Sequence, residues 1–279
     1  MASTLRKKHN TFGGYTGYYE HESESTKTKM NFSVFVPELK AGQKAPVVYF
    51  LSGLTCTEEN FMTKAGAQIY AANLGLILVT CDTSPRGLNI PGIKDSWDFG
   101  DGAGFYVNAT QAPWSTNFKM YDYVLSELPK IIETDFPAQK GRRSIMGHSM
   151  GGHGALVIGF RNAKEFASVS AFSPINSPTR CPWGEKALSH YLGPKSPAWD
   201  QYDASLLLEK ATHKLPVLID QGDGDEFLEK QLNPELLVAA AKKADYPINL
   251  RMQHGYDHSY YFISSFIKEH LEFQARFLK

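Results

Sequence analysis

The sequence predicts a three-layer α/β fold with a mostly parallel central sheet, and two patterns predict it. Short β-rich runs recur with turn residues on both sides, and longer stretches with helical spacing lie between them. Several runs are apolar almost throughout, as expected of strands covered on both faces. The expected strands are residues 31–36, 47–51, 76–81, 144–146, 167–172, 217–220 and 249–253. The expected helices are residues 58–73, 120–133, 153–160, 234–244 and 260–277. Pro234 after Asn233 suits the first position of a helix. Pro129 sits inside the second helix, where its missing N–H predicts a kink or break.

The chain has 279 residues, 42% of them hydrophobic and 13% aromatic, which is enough for one large core and excludes a disordered chain or a coiled coil. No repeat, low-complexity tract or Gly/Ser linker divides it, so residues 1–279 are expected to form a single domain. Lys+Arg and Asp+Glu are both 29, and the longest basic run is Arg6-Lys7-Lys8. Such a chain has no field to gather nucleic acid or an anionic membrane, so a small-molecule partner is expected. Cys56, Cys81 and Cys181 are widely spaced with no CxxC pair, which argues against a disulfide framework or a structural zinc site. Met1 to Phe12 is polar and charged, unlike a signal peptide, and no apolar stretch approaches the roughly 20 residues of a membrane helix. A cytoplasmic protein is the expectation.

Residues 95–113 and 173–199 read as long aromatic loops, where an α/β scaffold commonly builds its site. Gly147-His148-Ser149-Met150-Gly151 is a G-x-S-x-G pentapeptide between an expected strand and an apolar helix, the context of a nucleophile elbow. On that sharp turn the residues two positions either side of the serine must be small, and the following helix N-terminus faces developing negative charge.

An elbow serine needs a base and an acid to orient it, in the chain order Ser, acid, His. The acid candidates are Asp220, Asp223, Asp225 and Glu226, after the strand at 217–220, and the base candidates are His254 and His258. Residues further from the strand ends reach above the sheet, which favours Asp225 and His258. Asp223 reads as a solvated turn residue, and Asp220 as a backbone hydrogen-bonding one. The acidic run lacks the spacing of an EF-hand calcium loop. His148 and His153 have no ligand at metal spacing, so no metal is expected, and His148 is expected to pack beside the elbow. The oxyanion hole would use the N–H groups of Met150 and Leu54, with Gly53 letting the backbone turn.

Four segments carry a more specific likeness: Ser52-Gly-Leu-Thr-Cys-Thr57, Asp95 to Val107, Gly147 to His153, and Gly255 to Tyr261. With Ser177 to Gly184, they make essentially the whole chain resemble the esterase D family of S-formylglutathione hydrolases. The resemblance implies an α/β-hydrolase fold with Ser149, Asp225 and His258 as the triad. It also implies hydrolysis of S-formylglutathione to glutathione and formate, side activity on small esters, no cofactor, and a cytosolic homodimer. Asn108 departs from the aspartate of relatives, outside the triad.

A thiol leaves more easily than an alkoxide, and a formyl group needs only a shallow pocket, which Cys56 and Trp97 are expected to border. Cys56 reads as a bystander thiol, since no base accompanies it. Three rivals share the elbow: a general short-chain carboxylesterase, a binding protein on an inactive hydrolase fold, and an acyl transferase.

Overall fold

The computed structural model describes residues 3–278. Met1 and Ala2, the start of the polar N-terminal stretch, and Lys279, the end of the expected domain, lie outside them. The strands are β1 Thr4–Thr11, β2 Gly14–Glu22, β3 Lys29–Val36, β4 Ala45–Leu51, β5 Ile77–Cys81, β6 Ala138–His148, β7 Val169–Phe172, β8 Val217–Gly222 and β9 Asn249–Gln253. They form one sheet in the order β1-β2-β3-β5-β4-β6-β7-β8-β9. From β5 to β9 every neighbouring pair is parallel, while β1, β2 and β3 join antiparallel at one edge.

The helices are α1 Glu58–Lys64, α2 Gln68–Leu74, α3 Met120–Asp122, α4 Leu128–Asp135, α5 Met150–Arg161, α6 Pro182–Leu192, α7 Pro197–Asp200, α8 Ala204–Glu209, α9 Pro234–Lys243 and α10 Tyr260–Phe277. Side-chain alternation along the strands divides them into two layers. On β4, Val47, Tyr49 and Leu51 enter the core shared with α4, α5, α6, α8 and α9. Val48 and Phe50 enter the opposite core, with Phe61 and Met62 of α1 and Phe262, Ile263 and Ile267 of α10. A period of two with both faces buried is what a central strand under two helix layers requires. Helix α5 is buried on every side from Met150 to Phe160, so the apolar run after the elbow serves as the axle of one layer.

Four features differ from the sequence reading. The hairpin β1–β2 went unread because β1, TLRKKHNT, is exposed almost throughout and shows no apolar alternation. Its turn is made by Phe12 and Gly13, both at positive φ (48° and 80°). The helix expected over 58–73 is two helices, parted at Gly66, which has φ 64°. The helix expected over 120–133 does not break at Pro129. It widens to a π turn over Tyr123–Glu127 and continues as α4, because the proline removes an N–H that a regular turn would use. Part of the stretch expected as a 173–199 loop is helical, with Pro182 opening α6 at a position that needs no N–H donor.

Candidate active site

Strand β6 ends at His148 and helix α5 begins at Met150, leaving Ser149 alone on the turn with φ 56° and ψ −121°. A residue with a Cβ rarely adopts that backbone, and here the surroundings enforce it. The Ser149 N–H donates to Phe172 O at 3.0 Å, and the Ser149 carbonyl accepts the N–H groups of His153 at 2.9 Å and Ile175 at 3.3 Å. The two elbow glycines are required for space. A Cβ at Gly147 would lie 2.2 Å from the Gly151 carbonyl oxygen, and one at Gly151 would lie 2.0 Å from that of Leu51.

Asp225 follows β8 and His258 follows β9, so neighbouring parallel strands deliver both residues to the edge of the sheet that carries the elbow. His258 Nδ1 and Asp225 Oδ2 are 2.5 Å apart. The other carboxylate oxygen of Asp225 accepts the Phe227 N–H at 2.9 Å. Burial disfavours the charge on Asp225, but the bonds from His258, Phe227 and Ser173 outweigh it and hold the carboxyl below its usual range. His258 Nε2 is buried with no hydrogen-bond partner among the described residues, and its ring lines the same cavity as Ser149. That ring lies between Phe227, edge-on at 5.0 Å, and His148 at 4.5 Å. Burial first, and the neighbouring His258 second, hold the His148 imidazole well below its ordinary pKa of 6.5, so it is neutral at pH 7.

The other acid and base candidates go elsewhere. His254 Nδ1 meets Asp223 Oδ2 at 2.9 Å on the surface, where Asp223 also accepts the Gly255 N–H. Glu226 is exposed. Asp220, expected to bond backbone, instead takes side chains: Arg251 donates through Nε and Nη2 at 2.6 Å each, Gln253 at 3.2 Å, and His270 Nε2 lies at 3.2 Å. The cause is β9, which places Arg251 directly opposite Asp220 in the parallel register.

The loop after β4 is pinned from several directions. Tyr106 Oη donates to Ser52 O at 2.9 Å, Thr55 N–H to Gly102 O at 2.9 Å, and Thr83 Oγ1 and Arg86 Nη2 to Cys56 O at 2.6 and 3.1 Å. Neither the Leu54 N–H nor the Met150 N–H makes a hydrogen bond among the described residues; Leu54 lines the cavity of Ser149, and Met150 follows Ser149 in the chain as the first residue of α5. The role given to Gly53 needs correction. The positive φ of this loop belongs to Thr55, at 68°, and Gly53 is small because a Cβ there would come within 3.2 Å of Ser149 Cβ.

The cavity over Ser149 has a volume of about 270 Å³, with Leu54, Cys56, Trp97, Trp183, Phe227 and His258 in its wall. Trp97 is exposed and stands edge-on to Trp183 at 5.4 Å, which packs at 4.7 Å on Phe227. Cys56, half-buried, lines the cavity as expected; burial raises its thiol pKa despite Lys64, Tyr260 and Arg86 nearby, so it is protonated at neutral pH. Sequence reasoning missed Asn60, Lys64, Phe227 and Tyr260 in this lining. Phe227 and Tyr260 each lie two residues past a triad candidate, the one signal that could have found them. A larger surface cleft of about 670 Å³, lined by Tyr121, Arg161, Lys210 and His213 among others, contains none of the triad candidates.

Comparison with known proteins identifies the family of the chain. The Esterase family model matches residues 23–273. The S-formylglutathione hydrolase of Rattus norvegicus is 50% identical over 269 residues, covering 96% of this chain and 95% of that protein. The Mus musculus S-formylglutathione hydrolase is 49% identical, covering 100% and 99%. The structure of an S-formylglutathione hydrolase from Agrobacterium tumefaciens superposes with a TM-score of 0.95 at 47% identity, covering 99% of each chain. Among the described residues no helix is long and apolar enough to cross a membrane. With its α/β fold, its elbow and its full-length relatives, the chain belongs to the S-formylglutathione hydrolase family of esterases.

Proposed function

We propose that this chain hydrolyses S-formylglutathione to glutathione and formate through Ser149, His258 and Asp225. The observation that carries the mechanism is the 2.5 Å contact of His258 Nδ1 with Asp225, which leaves Nε2 without a partner in the cavity of Ser149. Ser149 Oγ attacks the formyl carbon as His258 Nε2 takes its proton, and the Leu54 and Met150 N–H groups receive the oxyanion. Collapse breaks the C–S bond, and His258 returns the proton to the departing sulfur. A water molecule then attacks the formyl-serine ester with His258 again as base, releasing formate and restoring the Ser149 hydroxyl. Asp225 holds the imidazole in the tautomer this sequence needs and stays ionised, because its carboxyl lies below the usual range.

One sheet carries all three residues, which supports reading residues 1–279 as one esterase domain. A cytoplasmic homodimer belongs to the same proposal and rests on the family resemblance. Light scattering of the purified chain at twice the monomer mass checks the dimer.

The test of substrate is kcat/KM for S-formylglutathione against p-nitrophenyl acetate. A strong preference for the thioester is expected. Comparable turnover of both would leave a serine esterase but move the function to general short-chain esters.

Cys56 acts by position alone in this reading. Alkylating it is expected to abolish activity by filling the cavity, and slowly at pH 7, since its thiol is protonated. Full activity after modification confirmed at Cys56 by mass spectrometry would sink that role.

A further inference from the structure

With the formyl carbon at Ser149, the glutathionyl group of the substrate extends outward along the wall of this cavity. Among the described residues, one charged side chain other than a histidine lines this cavity: Lys64, at the C-terminal end of α1. Its ammonium is exposed, and among the described residues no carboxylate lies within ion-pair distance of it. It stands over the face of Tyr260, whose ring centroid is 5.6 Å away. Two of the cations on the flanking loops are already engaged. Lys186 pairs with Asp98 at 2.5 Å, and Arg86 holds Asp82 at 2.8 Å and the Cys56 carbonyl at 3.1 Å.

One turn before Lys64 on the same helix face stands Asn60, which also lines the cavity. Its Oδ1 accepts the Thr57 N–H at 2.9 Å in a capping box, which fixes the amide orientation. The Asn60 NH₂ is thereby turned away from the cap and makes no hydrogen bond among the described residues. An unpaired ammonium and an oriented amide donor, four residues apart on one face, make a fork for a carboxylate. A glutathionyl group carries two carboxylates and one ammonium, so the leaving group of the thioester supplies such a ligand, and a neutral ester does not.

We propose that Lys64, with Asn60 beside it, binds a carboxylate of the glutathionyl group and so sets the preference for the glutathione thioester over neutral esters. This rests on the hydrolysis proposed above. The pair touches the part of the substrate that departs, so its contribution enters through binding of the glutathionyl group. Attraction between an ammonium and a carboxylate at an open rim is worth a factor of about five, and reversing the sign of the charge about doubles its logarithm.

The experiment measures kcat/KM for S-formylglutathione and for p-nitrophenyl acetate on wild type, Lys64→Arg, Lys64→Gln and Lys64→Glu. The ratio of thioester to ester kcat/KM is expected to hold in Lys64→Arg, to fall about fivefold in Lys64→Gln, and to fall about twentyfold in Lys64→Glu. Raising ionic strength from 0.01 to 0.5 M is expected to lower the ratio in wild type and leave it flat in Lys64→Gln. S-methylglutathione, a thioether that cannot be hydrolysed, supplies a readout independent of turnover: its inhibition constant against p-nitrophenyl acetate should rise about fivefold in Lys64→Gln. Wild type that turns over the thioester, with the same ratio and the same inhibition constant in Lys64→Gln and Lys64→Glu, overturns the subsite and leaves the hydrolase intact. Wild type that neither turns over the thioester nor is inhibited by S-methylglutathione overturns both.

Discussion

Replacing Ser149 by alanine is expected to lower kcat/KM by about 10⁵-fold, for S-formylglutathione and p-nitrophenyl acetate alike. Alanine removes the only atom that can form the acyl-enzyme and leaves the oxyanion donors of Leu54 and Met150 in place. Residual rate enhancement of about 10³-fold over water is therefore expected to survive. The fold should survive too, because the Ser149 backbone rather than its hydroxyl carries the bonds to Phe172, His153 and Ile175. Asp225→Asn should cost about 10⁴-fold, since an amide at the 2.5 Å contact no longer fixes the tautomer of His258. Added to Ser149→Ala, it should cost almost nothing more, because the three side chains act as a unit. Steady-state kinetics on the two single variants and the double variant checks all three statements. Activity of Ser149→Ala within tenfold of wild type would remove Ser149 as nucleophile.

The second large effect is on stability. Asp220 has no exposed side-chain surface and receives Arg251 through both guanidinium contacts, with Gln253 and His270 on the same carboxylate. Burial alone would raise its pKa, but these partners lower it to about 2 from a usual 3.8. A folded pKa below the unfolded one means that stability from this group is fully present above about pH 4. It is lost as pH falls from about 4 toward 2. The shift corresponds to about 2.5 kcal/mol at neutral pH. Asp220→Asn keeps the shape and discards the charge, leaving the half-buried Arg251 guanidinium with Glu269 as its one remaining carboxylate partner among the described residues. A loss of about 3 kcal/mol and a fall in Tm of about 5–10 °C at pH 7 are expected. Urea titrations at pH 7 and pH 3 check the sign, because the gap between wild type and variant should narrow in acid. A Tm equal to that of wild type at pH 7 would show that the cluster adds nothing. Since Asp220 lies five residues before Asp225 on the strand that leads to it, the variant should also report how firmly that loop is held.

The residues that carry the chemistry were legible because their constraints are local. G-x-S-x-G announces itself by the room a sharp turn leaves, and the 2.0 and 2.2 Å distances at Gly151 and Gly147 show how little that is. Burial on both faces wrote the parallel strands as unbroken apolar runs, so β4, β5, β7 and β8 could be read to within two residues; β6, expected over 144–146, runs over Ala138–His148, because its first half is exposed and carries no apolar run. The edge hairpin was not legible, since a strand exposed on both faces obeys no pattern of burial. The break at Gly66 went unread, and the change expected at Pro129 fell earlier as a π turn, for a related reason: local backbone chemistry marks where winding can change, and packing chooses how.

Choosing among the acids is where sequence and structure part. Asp220, Asp223, Asp225 and Glu226 lie within seven residues and share one composition; reach beyond the strand end favoured Asp225, and the resemblance to a family settled it over Asp223. What separates them physically is which neighbour the β8–β9 register brings opposite each one: Arg251 for Asp220, His254 for Asp223, His258 for Asp225. The sequence by itself determined the fold class, the elbow and the order of its partners, because these follow from burial period and from sterics within a few residues. The tertiary structure alone decided which carboxylate meets which imidazole, which loop residue bears the strain, and which cation is left unpaired at the rim of the cavity. Those depend on contacts between residues thirty to two hundred positions apart, and no spacing along the chain encodes them.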